Sequence, residues 1–216
     1  MNLTENKEII LPYEKVEEHY IEDLGKLPKK PFYSFVKRSF DLIVSLLGIL
    51  IFLIPMLIVA ATIKLTSEGP VFFRQERLGK KFNVIKFRTM VADAEKNGAQ
   101  WCSGNDDERI TKTGKFLRKY HIDEIPQLWC IFSGNMSFVG PRPERECFYN
   151  EFETYIHGFS ERLKVTPGLT GLAQIYGHAT MKPEIKIVYD IKYIKTRSLW
   201  LDFKILFQTL HYIVRK

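Results

Sequence analysis

The sequence predicts a mainly helical α/β domain with a small β-hairpin, joined to a re-entrant, proline-kinked membrane helix. Three observations predict it. A long apolar run has a proline near its middle, two short β-rich segments follow that run, and helical periodicity governs the end of the chain. At 216 residues, 45% hydrophobic and 26% charged, the chain has material for one globular domain with a sizeable core. The net charge of +7 points to an anionic partner, and nucleic acid, anionic lipid and phosphorylated small molecules all fit that sign. Cys102, Cys130 and Cys147 are odd in number and form no C-x-x-C pair. They signal neither a disulfide framework nor a zinc site, so three buried thiols in a reducing cytosol are expected.

Residues 1–36 read as an N-terminal arm. The first thirty carry charges of both signs with no apolar core ahead of a cleavage site, so no secretory signal is expected and the arm is retained. Tyr13, Val16, Tyr20, Ile21 and Leu24 recur at helical spacing, which predicts an amphipathic helix that "LPKKP" ends.

Residues 37–66 hold the membrane element. Leu42 to Ile63 are 22 residues without a charge, and at about 1.5 Å per residue they make a helix of roughly 33 Å, enough to cross a hydrocarbon core. Pro55 removes a backbone donor and clashes with the Ile51 carbonyl, which favours a kink. Lys37 and Arg38 precede the run, while Lys64, Arg74, Arg77, Lys80 and Lys81 follow it. Under the positive-inside rule both ends belong in the cytoplasm, which a helix-break-helix that enters and returns satisfies. A Pro-kinked single span is the alternative that the residues leave open.

In residues 67–216, Val71 to Leu78 and Phe82 to Thr89 read as two strands joined by a turn at Gly79. Val84, Lys86 and Arg88 share one strand face, which presents the two cations together; a solvated basic edge is the plainer reading. "VADAEKNG" predicts a short helix and "WCSGNDDERITKTG" a loop. "TGKFLRKYH" predicts a helix from near Thr113 with Phe116, Leu117 and Tyr120 inward and Lys115, Arg118 and Lys119 outward. Asp123 then stands where an N-cap belongs, with Glu124 the first residue of a helix "EIPQLWCIFSG", Pro126 in its first turn and Gly134 ending it.

A cap explains Asp123 completely, but the neighbourhood offers a second reading. That helix start has free N–H groups suited to a phosphate, and "SFVGPRPER" follows within a dozen residues. Pro141 and Pro143 stiffen the chain around Arg142, whose guanidinium is thereby prepared for bidentate contact with phosphate, and Arg145 can add a second. Two carboxylates facing a phosphate would repel it, and Mg²⁺ held by them and by phosphate oxygens resolves the conflict. In "VTPGLTGLAQIYG", Gln174 is a candidate nucleotide or sugar contact, with a structural loop as the alternative. Two helices close the chain, "EIKIVYDIKYIK" and "LWLDFKILFQTLHYIVRK", the second capped by Ser198. Its Trp200, Phe203 and Phe207, mixed with Lys204, Arg215 and Lys216, suit either a membrane interface or core packing.

"KRSFDLIVSLLGILIFLIPMLIVAATIKL", "GPVFFRQERLGKKFNVIKFRTM", "TKTGKFLRKYHIDEIPQLWCIFSGNMSFVGPRPE" and "VTPGLTGLAQIYG" together resemble the bacterial sugar transferases, monotopic phosphoglycosyl transferases, in their compact form plus an arm. The match runs in order from about Lys37 to the C-terminus. It implies transfer of a sugar 1-phosphate from a UDP-sugar to undecaprenyl phosphate, releasing UMP, as the first membrane step of glycan assembly, with downstream glycosyltransferases as candidate partners. It further implies Mg²⁺, a re-entrant helix kinked at a proline, and a cytosolic α/β catalytic domain on the inner face of the bacterial plasma membrane; residues 67–216 are expected to form that domain, with the aromatic and basic residues of its last helix placing the C-terminal helices at the interface. Asp123 and Glu124 fall on the family's acidic dyad, with Asp123 implied as covalent nucleophile and metal partner. Lys86, Arg88 and Arg142 fall on basic motif positions implied to contact phosphates, and Arg145 is a further candidate. The family's Ser-Pro break reads Ile54-Pro55 here, without the hydroxyl.

Two other classes are weighed against this. A membrane-tethered, Mg²⁺-dependent phosphohydrolase would use the same groups with water as acceptor, and a non-catalytic module binding anionic lipid would explain the charge alone. No nucleic-acid recognition motif is visible.

Overall fold

The computed structural model of the chain describes residues 18–78, 82–96, 107–177 and 181–215. The first described element is strand β1 (His19–Tyr20), which pairs in parallel with β5 (Ile156–His157). No helix forms through Tyr20, Ile21 and Leu24, which corrects that expectation. The His19 N–H donates to Tyr155 O and the Ile21 N–H to His157 O, both at 2.8 Å, so a ladder takes the groups a helix would use internally. Tyr13 and Val16 lie outside the described residues.

Helix α1 (Pro31–Thr66) has 36 residues and begins earlier than expected, with Pro31 in its first turn, where a missing N–H is no loss. Helical structure continues on both sides of Pro55, so the expected helix-break-helix is one helix. Asp41, Ser45 and Ile49 are buried at four-residue spacing, and Ile63 is buried near the other end. Ile49 joins a core with Phe82, Leu128, Ile131 and Met136, whereas Ile63 joins one with Phe87 and Leu117. Residues 50–55 between them are exposed on every side. Both ends of the helix thus pack on the same domain while its middle stands clear. Polar contacts fix the first end: Lys37 Nζ donates to Val139 O at 2.9 Å, Arg38 to Ile131 O and Phe132 O at 2.7 Å each, and the Phe138 N–H to Asp41 Oδ1 at 3.0 Å.

Strands β2 (Phe72–Arg77) and β3 (Phe82–Phe87) form the expected antiparallel hairpin, with Phe72 opposite Phe87. Its turn at Gly79 lies outside the described residues. Over the described part of "VADAEKNG", residues 91–96, the expected helix is not formed; residues 92–96 are turns, with the Lys96 N–H on Asp93 O at 2.9 Å, and the rest lies outside the described residues. Helix α2 (Lys112–Lys119) starts at Thr111, whose hydroxyl accepts from the Gly114 N–H at 2.9 Å. Of its expected inward face only Leu117 is buried. Phe116 and Tyr120 meet with tilted rings, centroids 4.9 Å apart, and face outward.

A 3₁₀ turn (Ile122–Gln127) and helix α3 (Leu128–Phe132) follow. Asp123 is therefore inside a tight turn and is not an N-cap; His121, with φ 56°, precedes that turn. Pro126 disfavours α geometry at Ile125, and the tighter turn carries the chain through. Strand β4 (Ser137–Val139) pairs in parallel with β6 (Gly168–Thr170), across a connection containing helix α4 (Glu146–Glu153), β5 and a second 3₁₀ turn (Phe159–Lys164). Helix α5 (Leu172–Tyr176) leaves β6 directly. The C-terminal helices α6 (Pro183–Thr196) and α7 (Leu199–Val214) form as expected, with the Leu201 N–H on Ser198 Oγ at 3.2 Å.

The largest core gathers Phe148, Phe152, Phe159, Ile187, Ile194 and Ile205 from the elements after β4. Trp200, Phe203 and Phe207 stay 75%, 61% and 65% exposed, which excludes core packing as their role. Cys130 is buried and Cys147 half-buried, while Cys102 is outside the described residues. Mostly helical, with small two-stranded sheets, is the class observed.

Candidate active site

Three segments meet around the two adjacent acids: β3, the 3₁₀ turn, and the loop leaving β4. Val84 and Phe87 are buried, which seats β3 and presents Lys86 between them. Lys86 Nζ donates to Glu124 Oε1 at 2.7 Å, and Arg142 Nη2 donates to the same oxygen. Arg142 Nη1 reaches Leu169 O at 3.2 Å. The Glu124 carboxylate is thus shared by two cations from two strands' ends.

The loop at 140–145 is held rigidly from behind. Gly140 lies against Gly171, where a Cβ would run into the Gly140 carbonyl, so β4 and β6 can close only with glycine there. Arg77 Nη1 donates to Pro143 O at 3.1 Å, Lys186 Nζ to Glu144 Oε1 at 2.8 Å, and Arg162 Nη2 to Arg142 O at 2.8 Å. Arg162 pairs in turn with Asp190 at 2.6 Å, both side chains fully buried. Burial alone would raise the Glu144 carboxyl, but Lys186 and then Arg77 bring it down to about 2. Each of these charges is compensated, and removing one partner leaves the other uncompensated in the interior.

The acidic pair is divided electrostatically. Burial would raise Glu124, yet Arg142 and Lys86 outweigh it and hold the carboxyl well below the usual range. Asp123, 7% exposed, is pushed up to about 6, first by burial and then by the Glu124 charge, against the pull of Lys86, Arg118 and Arg142. No hydrogen bond or ion pair holds its carboxylate among the described residues. Neighbouring acids driven apart in this way are suited to different roles.

Other expected residues are placed elsewhere. Arg88 follows the end of β3, and both of its amino groups turn away to Ser67 and Glu68, so Lys86 and Arg88 are not presented together. Arg145 pairs with Glu95 at 2.8 Å and lies 5.8 Å over the Phe148 ring. Gln174, beside Gly171, keeps both side-chain polar atoms buried without a hydrogen-bond partner, and Gln127 in the 3₁₀ turn does the same with Nε2. Such orphans mark places where a ligand's polar groups can complete the set. Arg118, expected to face outward, donates from Nε to Thr89 Oγ1 at 2.8 Å and is one of the charges felt by Asp123. Its i−5 position from Asp123 gives no clue, because the chain reverses at His121 between them.

For Mg²⁺, Asp123 fits as one ligand, a buried carboxylate free of other donors beside the cations Lys86 and Arg142. Glu124 fits less well, since Oε1 already accepts from two cations. Among the described residues no group of three His, Cys, Asp or Glu gathers.

Comparison with known proteins bears on this site. The sequence profile of a family described as bacterial sugar transferase matches residues 32–216. The chain is 41% identical over 206 residues to a UDP-N-acetylgalactosamine-undecaprenyl-phosphate N-acetylgalactosaminephosphotransferase of Aeromonas hydrophila, covering 93% of this chain and 48% of that protein. It is 45% identical over 206 residues to a UDP-glucose:undecaprenyl-phosphate glucose-1-phosphate transferase of Klebsiella pneumoniae, covering 88% and 44%. A protein of that same description from Caulobacter vibrioides is 38% identical over 194 residues, covering 86% and 72%. The chain spans about half the length of the first two relatives.

Proposed function

Because the chain belongs to the bacterial sugar transferase family, we propose that it transfers a sugar 1-phosphate from a UDP-sugar to undecaprenyl phosphate, releasing UMP, at the cytoplasmic face of the bacterial plasma membrane. The observation that carries this reading is the divided acidic pair: Glu124 locked between Lys86 and Arg142, Asp123 buried beside it with a free carboxylate.

In this reading an Asp123 oxygen attacks the phosphorus that bears the sugar, and the bond from that phosphorus to the UMP oxygen breaks, so UMP departs with the electron pair. An oxygen of undecaprenyl phosphate then attacks the same phosphorus and Asp123 leaves as a carboxylate. Arg142 and Lys86 offset the repulsion between anions in both steps, and Glu124 keeps the two cations aimed. When bound on Asp123 and the substrate phosphates, Mg²⁺ supplies further neutralisation of that charge. Gln174 and Gln127 offer unpaired amide groups to the nucleotide or sugar. Splitting the transfer in two separates a soluble donor from a membrane-bound acceptor.

The membrane reading is re-entrant. Both ends of α1 pack on one domain, through Ile49 and Ile63, while residues 50–55 around Pro55 are bare, which supports entry and return from the same face. The exposed Trp200, Phe203 and Phe207 of α7 support a second, shallower contact with lipid headgroups.

The test is UMP release from UDP-glucose, UDP-N-acetylgalactosamine and other UDP-sugars, with and without undecaprenyl phosphate. Lipid-dependent release supports the transferase. Release with free sugar phosphate and no lipid requirement would mark a hydrolase, and no release with any donor would leave a lipid-binding module.

A further inference from the structure

Arg88 is a cation of this region whose amino groups make no contact with the acidic pair. It is 6% exposed. Its Nη1 donates to Glu68 O, and its Nη2 to Ser67 O at 2.9 Å and Ser67 Oγ at 2.7 Å. Its backbone N–H donates to Val71 O at 2.9 Å, while its Nε is buried without a hydrogen-bond partner among the described residues. Ser67 is the C-cap of α1, its N–H and hydroxyl both turned back to Ile63 O, at 3.1 and 3.2 Å. The segment from the end of α1 into β2 therefore wraps the Arg88 side chain and backbone together. Gly69, at φ 112°, completes the wrap: a Cβ there would overlap Arg88 Nη1.

A phosphate approaching the two amino groups of this buried side chain would strip them from three oxygens, each of which would lose its donor. What the joint connects is more informative. One residue back on β3, Phe87 packs against Ile63 of α1 and Leu117 of α2. Two residues back, Lys86 holds Glu124. One residue on, the Thr89 hydroxyl holds Arg118 and the Thr89 carbonyl accepts from the Thr111 N–H that opens α2.

We propose that Arg88 is a positioning residue, which fastens the returning end of the membrane helix to the strand that sets Lys86 and Arg118 around the acidic pair, and that it is not a phosphate contact. This role presupposes the transferase reading above. A loosened joint leaves the nucleotide's own contacts in place but lets the cations drift from their alignment, so turnover falls while donor binding persists.

The comparison uses full-length Arg88→Ala, Ser67→Ala and the double variant, scored for UMP release at saturating undecaprenyl phosphate, KM for the UDP-sugar, and folded fraction by thermal melting. Positioning predicts turnover per folded molecule down at least about tenfold in Arg88→Ala and about threefold in Ser67→Ala, with KM within about twofold throughout. The double variant is expected to be no worse than Arg88→Ala, because both substitutions cut the same joint. Should Arg88→Ala not fold, Arg88→Lys and Ser67→Ala carry the same comparison. A rise of about tenfold or more in KM in the Arg88 variant, with Ser67→Ala like the unmodified protein, would reinstate a phosphate contact and overturn the proposal. Unchanged turnover per folded molecule, or additive losses in the double variant, would overturn it as well. If the unmodified protein itself releases no UMP from any donor, the transferase reading fails, and that outcome is distinct from all of these.

Discussion

Two adjacent carboxylates carry opposite contributions to stability. Asp123 is raised from 3.8 to about 6, so the folded state holds its proton more tightly, and stability is lost as pH rises through that interval. Asp123→Asn removes this penalty and is expected to raise stability at pH 7.5 by roughly 3 kcal/mol, an advantage that fades below about pH 4, while abolishing transfer. Glu124 is depressed, so its contribution is present above its ordinary value of 4.5 and is lost only as pH falls through the lower folded value. Glu124→Gln leaves Lys86 and Arg142 without their counter-charge and is expected to cost about 1–3 kcal/mol at pH 7.5. Thermal melts from pH 4 to 8, without added metal, check both signs; parallel behaviour of the two variants would contradict the division. Arg142→Lys keeps the charge but cannot reach Glu124 and Leu169 O together, so transfer should fall at least about tenfold with little change in melting temperature. That Lys86, Glu124 and Arg142 come together was legible because motif, charge and spacing agreed. The contacts that Arg88 and Arg145 make were not, since strand alternation gives a side chain's first direction but not where a long flexible stem finds its oxygens, and Arg88 lies past the end of β3.

Elements were legible where a period or a cap was long enough to read. The apolar run, the hairpin, α2 with its Thr111 cap and α7 with its Ser198 cap all form. The three-residue strands β4 and β6 carry no readable alternation, and their pairing comes from the tertiary fit of glycines 140, 168 and 171. The helical spacing through Tyr20 and Leu24 lost to pairing with β5, a partner 137 residues away that no local pattern can announce. The exposed apolar faces generate the prediction at this scale. Trp200→Ser, Phe203→Ser and Phe207→Ser together should weaken retention on vesicles without lowering the melting temperature, because these side chains touch no core. For α1, cysteines replacing Lys29 and Arg74, both exposed, should be labelled only from the cytoplasmic side of intact cells. Pro55→Leu should favour a straight span and move one of them outside, and outward labelling in the unmodified background would contradict re-entry.

Across the whole molecule, the membrane helix, the hairpin and the C-terminal helices converge on one loop and one turn. Lys37 links α1 to Asp202 of α7 at 2.8 Å, Lys186 of α6 holds Glu144 behind Arg142, and Arg88 ties the far end of α1 to β3. The dyad is thus set by contacts spread over most of the described chain, which explains why a residue motif could name it while its surroundings stayed hidden. The central claim is that Asp123 takes up the phosphosugar, and exchange without lipid tests it most directly. With a UDP-sugar donor and no acceptor, radiolabelled UMP should pass into the UDP-sugar, and the protein should gain the mass of one phosphosugar at Asp123. If neither exchange nor the adduct occurs under conditions where lipid-dependent turnover is fast, Asp123 is not the nucleophile, even if Asp123→Asn is inactive.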